Sequence, residues 1–190
     1  MTWKLLIPYL LVTFLAETTG LYMRTHGRSN FQLYNGFLIV ESVFTSFFFF
    51  QLYKIYKVKL GWLIGWWVAF AVIYLTEMIS RDFGSYTSLT ATAMSVVFVI
   101  ACLYFYFLKL KDEVYEPLLK SAPFLWISGS LFFYFGSTAC NLFFDYLSEN
   151  ELTSYSHSLR HVIFNILNTI LYSFWIFSFI CRYRQRKYSR

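Results

Sequence analysis

Polar positions along this chain are sparse and grouped, and six mostly apolar stretches run between them, at about 5–23, 31–53, 60–79, 85–110, 123–147 and 158–181. Each holds roughly twenty residues, enough to cross a hydrocarbon core of about 30 Å as a helix. Hydrocarbon offers no partner to a backbone N–H or C=O, so a spanning segment must satisfy its own hydrogen bonds. The pattern therefore predicts an all-α fold, a polytopic membrane bundle of six transmembrane helices forming one domain over 1–190. Lys4 ahead of Leu5–Ala16 resembles the start of a signal peptide. Cleavage, however, wants a small residue where Phe14 stands, three before Glu17. A retained first span is expected instead, with Pro8 tolerated in its first turns.

The last stretch carries the clearest internal pattern. Read as a helix at about 100° per residue, His157, His161, Asn165, Asn168 and Tyr172 fall within an arc of about 80°. Almost everything else from Val162 to Phe177 is aliphatic or aromatic. Lipid rejects such a stripe, so it must face protein or water. The expectation is that the other spans gather around it and enclose a polar site within the bilayer.

Composition supports the membrane class: 58% of the residues are hydrophobic and 14% charged, against about 25% charged in a soluble domain. The 23 Phe and 16 Tyr suit lipid-facing surfaces and interfacial belts. Trp62, Trp66 and Trp67 read as interfacial anchors beside Gly61 and Gly65, whose GxxxG spacing permits close helix approach. Cys102, Cys140 and Cys181 show neither a disulfide framework nor a CxxC motif and read as small buried hydrophobes.

Charge fixes the expected orientation. With a cytoplasmic N-terminus, Lys4, Lys54, Lys57, Lys59, Lys109, Lys111, Lys120, Arg182, Arg184, Arg186, Lys187 and Arg190 lie on the cytoplasmic side, and Arg24, Arg28, Arg81 and Arg160 on the other. That is 12 against 4 of the 16 Lys and Arg. The positive-inside rule then predicts an integral protein of the cytoplasmic (inner) membrane with both termini in the cytoplasm. The net charge of +6 comes largely from the tail Arg182, Arg184, Arg186, Lys187 and Arg190, which suits anionic lipid headgroups rather than nucleic acid.

In this topology the chemistry-bearing residues collect at a shared depth. Glu17 and Glu41 sit well inside the first and second spans, and Glu77, Asn141 and Asp145 lie near the outer ends of the third and fifth. Ionisable groups at such depth cost about 2.5–3.5 kcal/mol on insertion scales, which makes them functional candidates. Glu41 shares a helix face with Tyr34 and Thr45. The expected ligand or proton site is Glu17, Glu41, His161, Asn165 and Asn168. The acids would hold charge or a proton, His161 would titrate near 6.5, and the amides would orient them. Tyr34, Glu77, Asn141, Asp145 and Tyr172 are secondary members. Glu77 is also spaced for an i,i+4 ion pair with Arg81, and Asp145 suits an interfacial acid. Ser85, Ser88, Thr92 and Ser95 recur at helical spacing, as a packing face or a cavity lining.

The expected function is a sensor or conduit that binds a small ligand, cation or proton in this pocket, with no cofactor. A second reading is an intramembrane metal-dependent hydrolase of lipid-like substrates. His157 and His161, at i,i+4, would then join His26, Glu77 or Asp145 on zinc. A third is a pore-forming oligomeric effector whose stripe faces a neighbouring subunit. A homo-oligomer and a membrane or cytoplasmic signalling partner are the protein partners these readings imply. GxSxG, HExxH, Walker and GxGxxG motifs are absent, no repeat relates the two halves, and no span carries the lysine that a retinal Schiff base needs.

Glu17-x2-Gly20, Tyr34-Asn35 followed by Glu41, Pro123–Ile127 leading to Phe133–Ser137, and His161-x3-Asn165-x2-Asn168 together give the chain a likeness. It resembles an uncharacterised family of small bacterial membrane proteins with six to seven spans. The resemblance implies that architecture and no activity.

Overall fold

The computed structural model describes residues 3–58, 61–81, 84–111, 117–143, 151–152 and 157–188, with the backbone alone at 151–152, 157–158 and 186–188. Its architecture is all-helical. Six helices stand among the described residues: α1 (Leu6–Thr25), α2 (Phe31–Lys54), α3 (Gly61–Ser80), α4 (Ser88–Leu110), α5 (Ala122–Leu142) and α6 (Leu159–Tyr188). Single 3₁₀ turns at Trp3–Leu5 and Leu118–Lys120 precede α1 and α5. A two-residue antiparallel pairing of Glu151–Leu152 with His157–Ser158 precedes α6.

Five of the six, all but α5, are long and apolar enough to cross a membrane. The fifth predicted span, about 123–147, is where the expectation needs refining. In α5 the apolar run is diluted by Ser128, Gly129, Ser130, Gly136, Ser137, Thr138 and Asn141. The small residues serve packing, and most of the helix's length is buried.

Two other boundaries shift for physical reasons. The fourth helix begins at Ser88 rather than at residue 85, because Ser85–Thr87 give their backbone groups to a side chain of α2, as described below. The last helix continues seven residues past the predicted end at 181, to Tyr188. At about 1.5 Å per residue, its thirty residues make a rod of about 45 Å, half as long again as a hydrocarbon core.

The chain divides into two compact units, Met1–Ala91 and Thr92–Arg190. In the first, α1 and α2 form an antiparallel hairpin zipped by aromatics. Trp3 meets Phe48 edge-on at 6.0 Å, and Tyr9 stacks on Phe44 at 5.5 Å. Trp66 of α3 donates its indole N–H to Ser46 of α2 at 3.0 Å.

In the second unit the core is the α5–α6 pair. Gly129 and Gly136, seven residues apart on α5, receive Phe174 and Leu167, seven apart on α6. A methyl at Gly129 would lie 2.6 Å from Phe174 Cβ, and one at Gly136 would lie 2.5 Å from a Leu167 methyl. Seven-residue spacing on both sides is knob-and-hole geometry, with glycine supplying the hole. Trp126 and Trp175 close the seam, with ring centroids 4.0 Å apart and planes 3° from parallel. At the far end Ser178 Oγ donates to the Ala122 carbonyl at 2.7 Å, and Gln185 Nε2 to the Lys120 carbonyl at 3.0 Å. Each bond ties α6 to a backbone carbonyl at or just before the start of α5.

Candidate functional site

Glu17 sits twelve residues into α1, and its carboxylate accepts the Tyr34 hydroxyl at 3.5 Å. Gly20, one turn further along, makes the approach feasible: a Cβ there would stand 2.5 Å from the Tyr34 hydroxyl oxygen. The ring of Tyr34 thus lies over bare backbone to reach the acid. Asn30 Nδ2 donates to the Gly20 carbonyl at 3.5 Å, closing the hairpin beside the pair.

Glu41 lies two turns along α2 from Tyr34, on the same face by helical spacing, and is buried. Thr45, one turn further on, and Thr13 of α1 are buried as well. The Thr13 hydroxyl is spent on its own helix, donating to the Tyr9 carbonyl at 2.9 Å. The α1–α2 hairpin therefore holds two carboxyl groups along one seam, one of them gripped by a phenol.

Glu77 has a different assignment. Its carboxylate accepts Leu89 N–H at 3.0 Å, Thr90 N–H at 2.7 Å and the Thr90 hydroxyl at 2.7 Å. The Arg81 guanidinium approaches at 3.3 Å, as the i,i+4 spacing expects. An anion against the free N–H groups of a helix start is favourable twice over, as hydrogen-bond acceptor and as counter-charge to the helix dipole. Glu77 caps α4 from the neighbouring helix, and with all these donors engaged its role here is structural.

Asn35 works beside it. The side chain, 1% exposed, donates to the Ser85 carbonyl at 2.9 Å and accepts Thr87 N–H at 3.0 Å and the Thr87 hydroxyl at 3.1 Å. Tyr74 donates to the Asn35 carbonyl at 3.3 Å. One amide thus fixes the α3–α4 turn onto α2. Of the hydroxyl row, Ser85 falls in this turn and Ser95 is buried with its Oγ 3.4 Å from Ser137 Oγ, so those two members serve structure and packing.

In the second unit, Asn141 is buried near the end of α5 and donates to Ser137 Oγ at 3.3 Å, while its Oδ1 has no partner among the described residues. On α6, Asn165 Nδ2 and His161 Nε2 are 3.1 Å apart, four residues along one face. Asn168 and Tyr172 are half-buried, and Asn165 is exposed. The α6 face that meets α5 carries Leu167, Leu171, Phe174, Trp175 and Ser178, so the polar stripe lies beside that seam rather than in it. The acidic members of the predicted site belong to the first unit and the amide–imidazole members to the second.

His26, proposed as a third metal ligand, ends α1. Its Nδ1 lies 2.9 Å from the Tyr22 carbonyl and 3.2 Å from Thr25 Oγ1, and its ring packs on Tyr22 at 4.2 Å. Among the described residues no group of three or more His, Cys, Asp or Glu is placed to hold a metal ion. Asp145 and the His157 side chain lie outside the described residues.

Asn35 is the site residue that sequence reasoning left unassigned. Its signal was present: Asn35, Ser42 and Ser46 stand at i, i+7 and i+11, a polar line on one face of α2, and all three are buried. Comparison with protein-family models, with curated proteins and with solved structures finds no match to this chain.

Proposed function

We propose that this is an integral membrane protein whose α1–α2 hairpin binds a proton or a small cation, acting as a sensor or a conduit. The observation that carries the reading is the Glu17–Tyr34 contact, built over Gly20 and continued by the buried Glu41. Removing a carboxyl from water favours its neutral form, and a phenolic donor favours the anion. A proton or a small cation bound there would change the charge that the Tyr34 hydroxyl meets. Two acids on one seam, two turns of α2 apart, would let charge at one bias the other.

The Lys and Arg asymmetry supports a cytoplasmic placement of both termini. In that orientation the C-terminal extension of α6 emerges on the cytoplasmic side. Arg182 and Arg184 lie on that helix, and Gln185 holds it to the 118–120 turn that carries Lys120. These cations would meet the anionic headgroups of that leaflet.

The test uses the full chain in lipid vesicles and reads carboxyl protonation by infrared difference spectroscopy between acidic and alkaline buffer. A protonated-carboxyl band is expected in wild type, diminished in Glu17→Gln and in Glu41→Gln, and displaced in Tyr34→Phe. A vesicle-entrapped pH dye separates conduit from sensor by the presence or absence of proton flux. Identical difference spectra for wild type and both Gln variants would dispose of the proposal.

A further inference from the structure

Near its C-terminal end, α6 donates three side chains to main-chain carbonyls of the turn before α5 and of the start of α5. Ser178 reaches the Ala122 carbonyl at 2.7 Å, Cys181 Sγ the Leu119 carbonyl at 3.8 Å and Gln185 Nε2 the Lys120 carbonyl at 3.0 Å. The three stand at i, i+3 and i+7, one stripe of the helix, and all lie within the unit Thr92–Arg190. The clamp weakens outward. Ser178 is fully buried, the thiol of Cys181 is a weak donor, and Gln185 meets a turn whose Leu118, Leu119 and Lys120 are exposed.

The charges brought together there have one sign. Lys120 is on the turn, and Arg182 and Arg184 flank the contact stripe, about 65° to one side and about 95° to the other. None of the three is ion-paired with a carboxylate of the described residues. The first unit offers no counter-ion at this level wherever it stands. By the order of its spans it brings Lys4, Lys54, Lys57 and Lys59 here, and its acids Glu17, Glu41, Glu77 and Asp82 lie inside the spans or at their other end. Over the whole chain, twelve Lys and Arg on this side meet three acids, an excess of nine positive charges. Those acids, Asp112, Glu113 and Glu116, lie outside the described residues.

We infer that this clamp is a docking surface for anionic phospholipid headgroups, and that the headgroups hold it shut. The inference rests on the membrane reading above and adds to it a defined site and a consequence. Repulsion among Lys120, Arg182 and Arg184 opposes the two outer bonds, and a phosphate among them removes it. A leaflet is the occupant because the turn exposes Leu118 and Leu119 beside the cations. Such a surface wants hydrocarbon and anion in adjoining layers, which a free anion does not supply. The position of the end of α6 then follows the charge of the leaflet.

The thiol within the clamp reports on it, since Cys102 and Cys140 are buried. The full chain is reconstituted in phosphatidylcholine vesicles, with and without an equal amount of phosphatidylglycerol, and alkylation of Cys181 by an uncharged maleimide is timed. A Cys181→Ser, Tyr183→Cys chain, with its thiol at the same level on the opposite side of α6, corrects for the effect of surface potential on thiol reactivity. After correction, alkylation of wild type should be about fivefold slower in the anionic vesicles, the effect of one cation meeting such a surface. Gln185→Ala should speed alkylation in neutral vesicles, since it opens the clamp. Arg182→Gln combined with Arg184→Gln should abolish the lipid effect. Lys54→Gln combined with Lys57→Gln, which removes the same charge from the end of α2, should leave it intact. Inorganic phosphate added to neutral vesicles should not reproduce it. Equal corrected rates in both lipids, a lipid effect that survives loss of both arginines, one lost equally with the two lysines, or slowing by phosphate alone would each overturn the inference. A chain that does not co-float with the vesicles would overturn the membrane reading along with it.

Discussion

Replacing Glu77 tests whether one carboxylate holds the start of α4. The side chain is 4% exposed and accepts three hydrogen bonds from Leu89 and Thr90 in addition to the Arg81 ion pair. Glu77→Ala leaves two N–H groups at the first turn of α4 without acceptors and Arg81 without its partner. Orphaned buried donors cost about 1–3 kcal/mol each, so the loss should reach about 3–5 kcal/mol, in the range of breaking a buried charged pair. Glu77→Gln keeps one carbonyl oxygen, enough for Thr90 N–H and its hydroxyl, but turns an NH2 toward Leu89 N–H. About half the loss is expected. Arg81→Ala should cost at most about 1 kcal/mol, since the arginine side chain is 43% exposed and water screens its side of the pair. The protein supplies its own reporter. Cys102 is fully buried and Cys140 nearly so. In a Cys181→Ser background, a thiol-reactive dye therefore registers unfolding as those two become accessible. The expected order of destabilisation is Glu77→Ala, then Glu77→Gln, then Arg81→Ala. If Arg81→Ala matches or exceeds Glu77→Ala, the surface ion pair, rather than the helix cap, is what matters, and the reasoning fails.

The same assay reads four further substitutions. Asn35→Ala removes three bonds that pin Ser85 and Thr87, and should cost about 2–4 kcal/mol. Combined with Glu77→Ala it should be non-additive by at least about 0.5 kcal/mol, because both side chains hold the same turn. Gly129→Ala should destabilise by about 2 kcal/mol or more and Gly136→Ala by much less. The first methyl meets Phe174 Cβ and the Leu171 carbonyl, which are fixed to the backbone, whereas the second meets the mobile end of Leu167. Trp126→Ala, which empties a stacked and buried indole site, should cost about 3–5 kcal/mol. Gly20→Ala should reproduce the infrared signature of Tyr34→Phe without altering either reacting group, since its methyl displaces the phenol from Glu17. A Gly20→Ala spectrum identical to wild type would show that the contact does not govern the carboxyl.

The helices were legible because a lipid-crossing segment must be apolar over its whole length, a demand strong enough to read without any partner in view. What escaped the sequence lies where the demand is relational. Residues 85–87 look like the start of a span, and only Asn35, fifty residues upstream, takes their backbone groups and delays the helix. Glu77 was readable as half of an i,i+4 pair because both halves lie on one helix, but its main work is on α4, which no local spacing announces. Gly20 and Gly129 read alike in sequence as small residues. Their different tasks, seating a phenol beside an acid and seating a phenylalanine in a seam, depend on what crosses them. The α6 stripe shows the same division. Its existence follows from periodicity alone, because five polar side chains on one arc of an apolar helix cannot be accidental to a segment that lipid must accept. Its occupant does not, because periodicity places the amides of Asn165 and Asn168 on one arc without naming what meets them. A polar group that lipid cannot satisfy and the helix does not satisfy is a requirement placed on a neighbour.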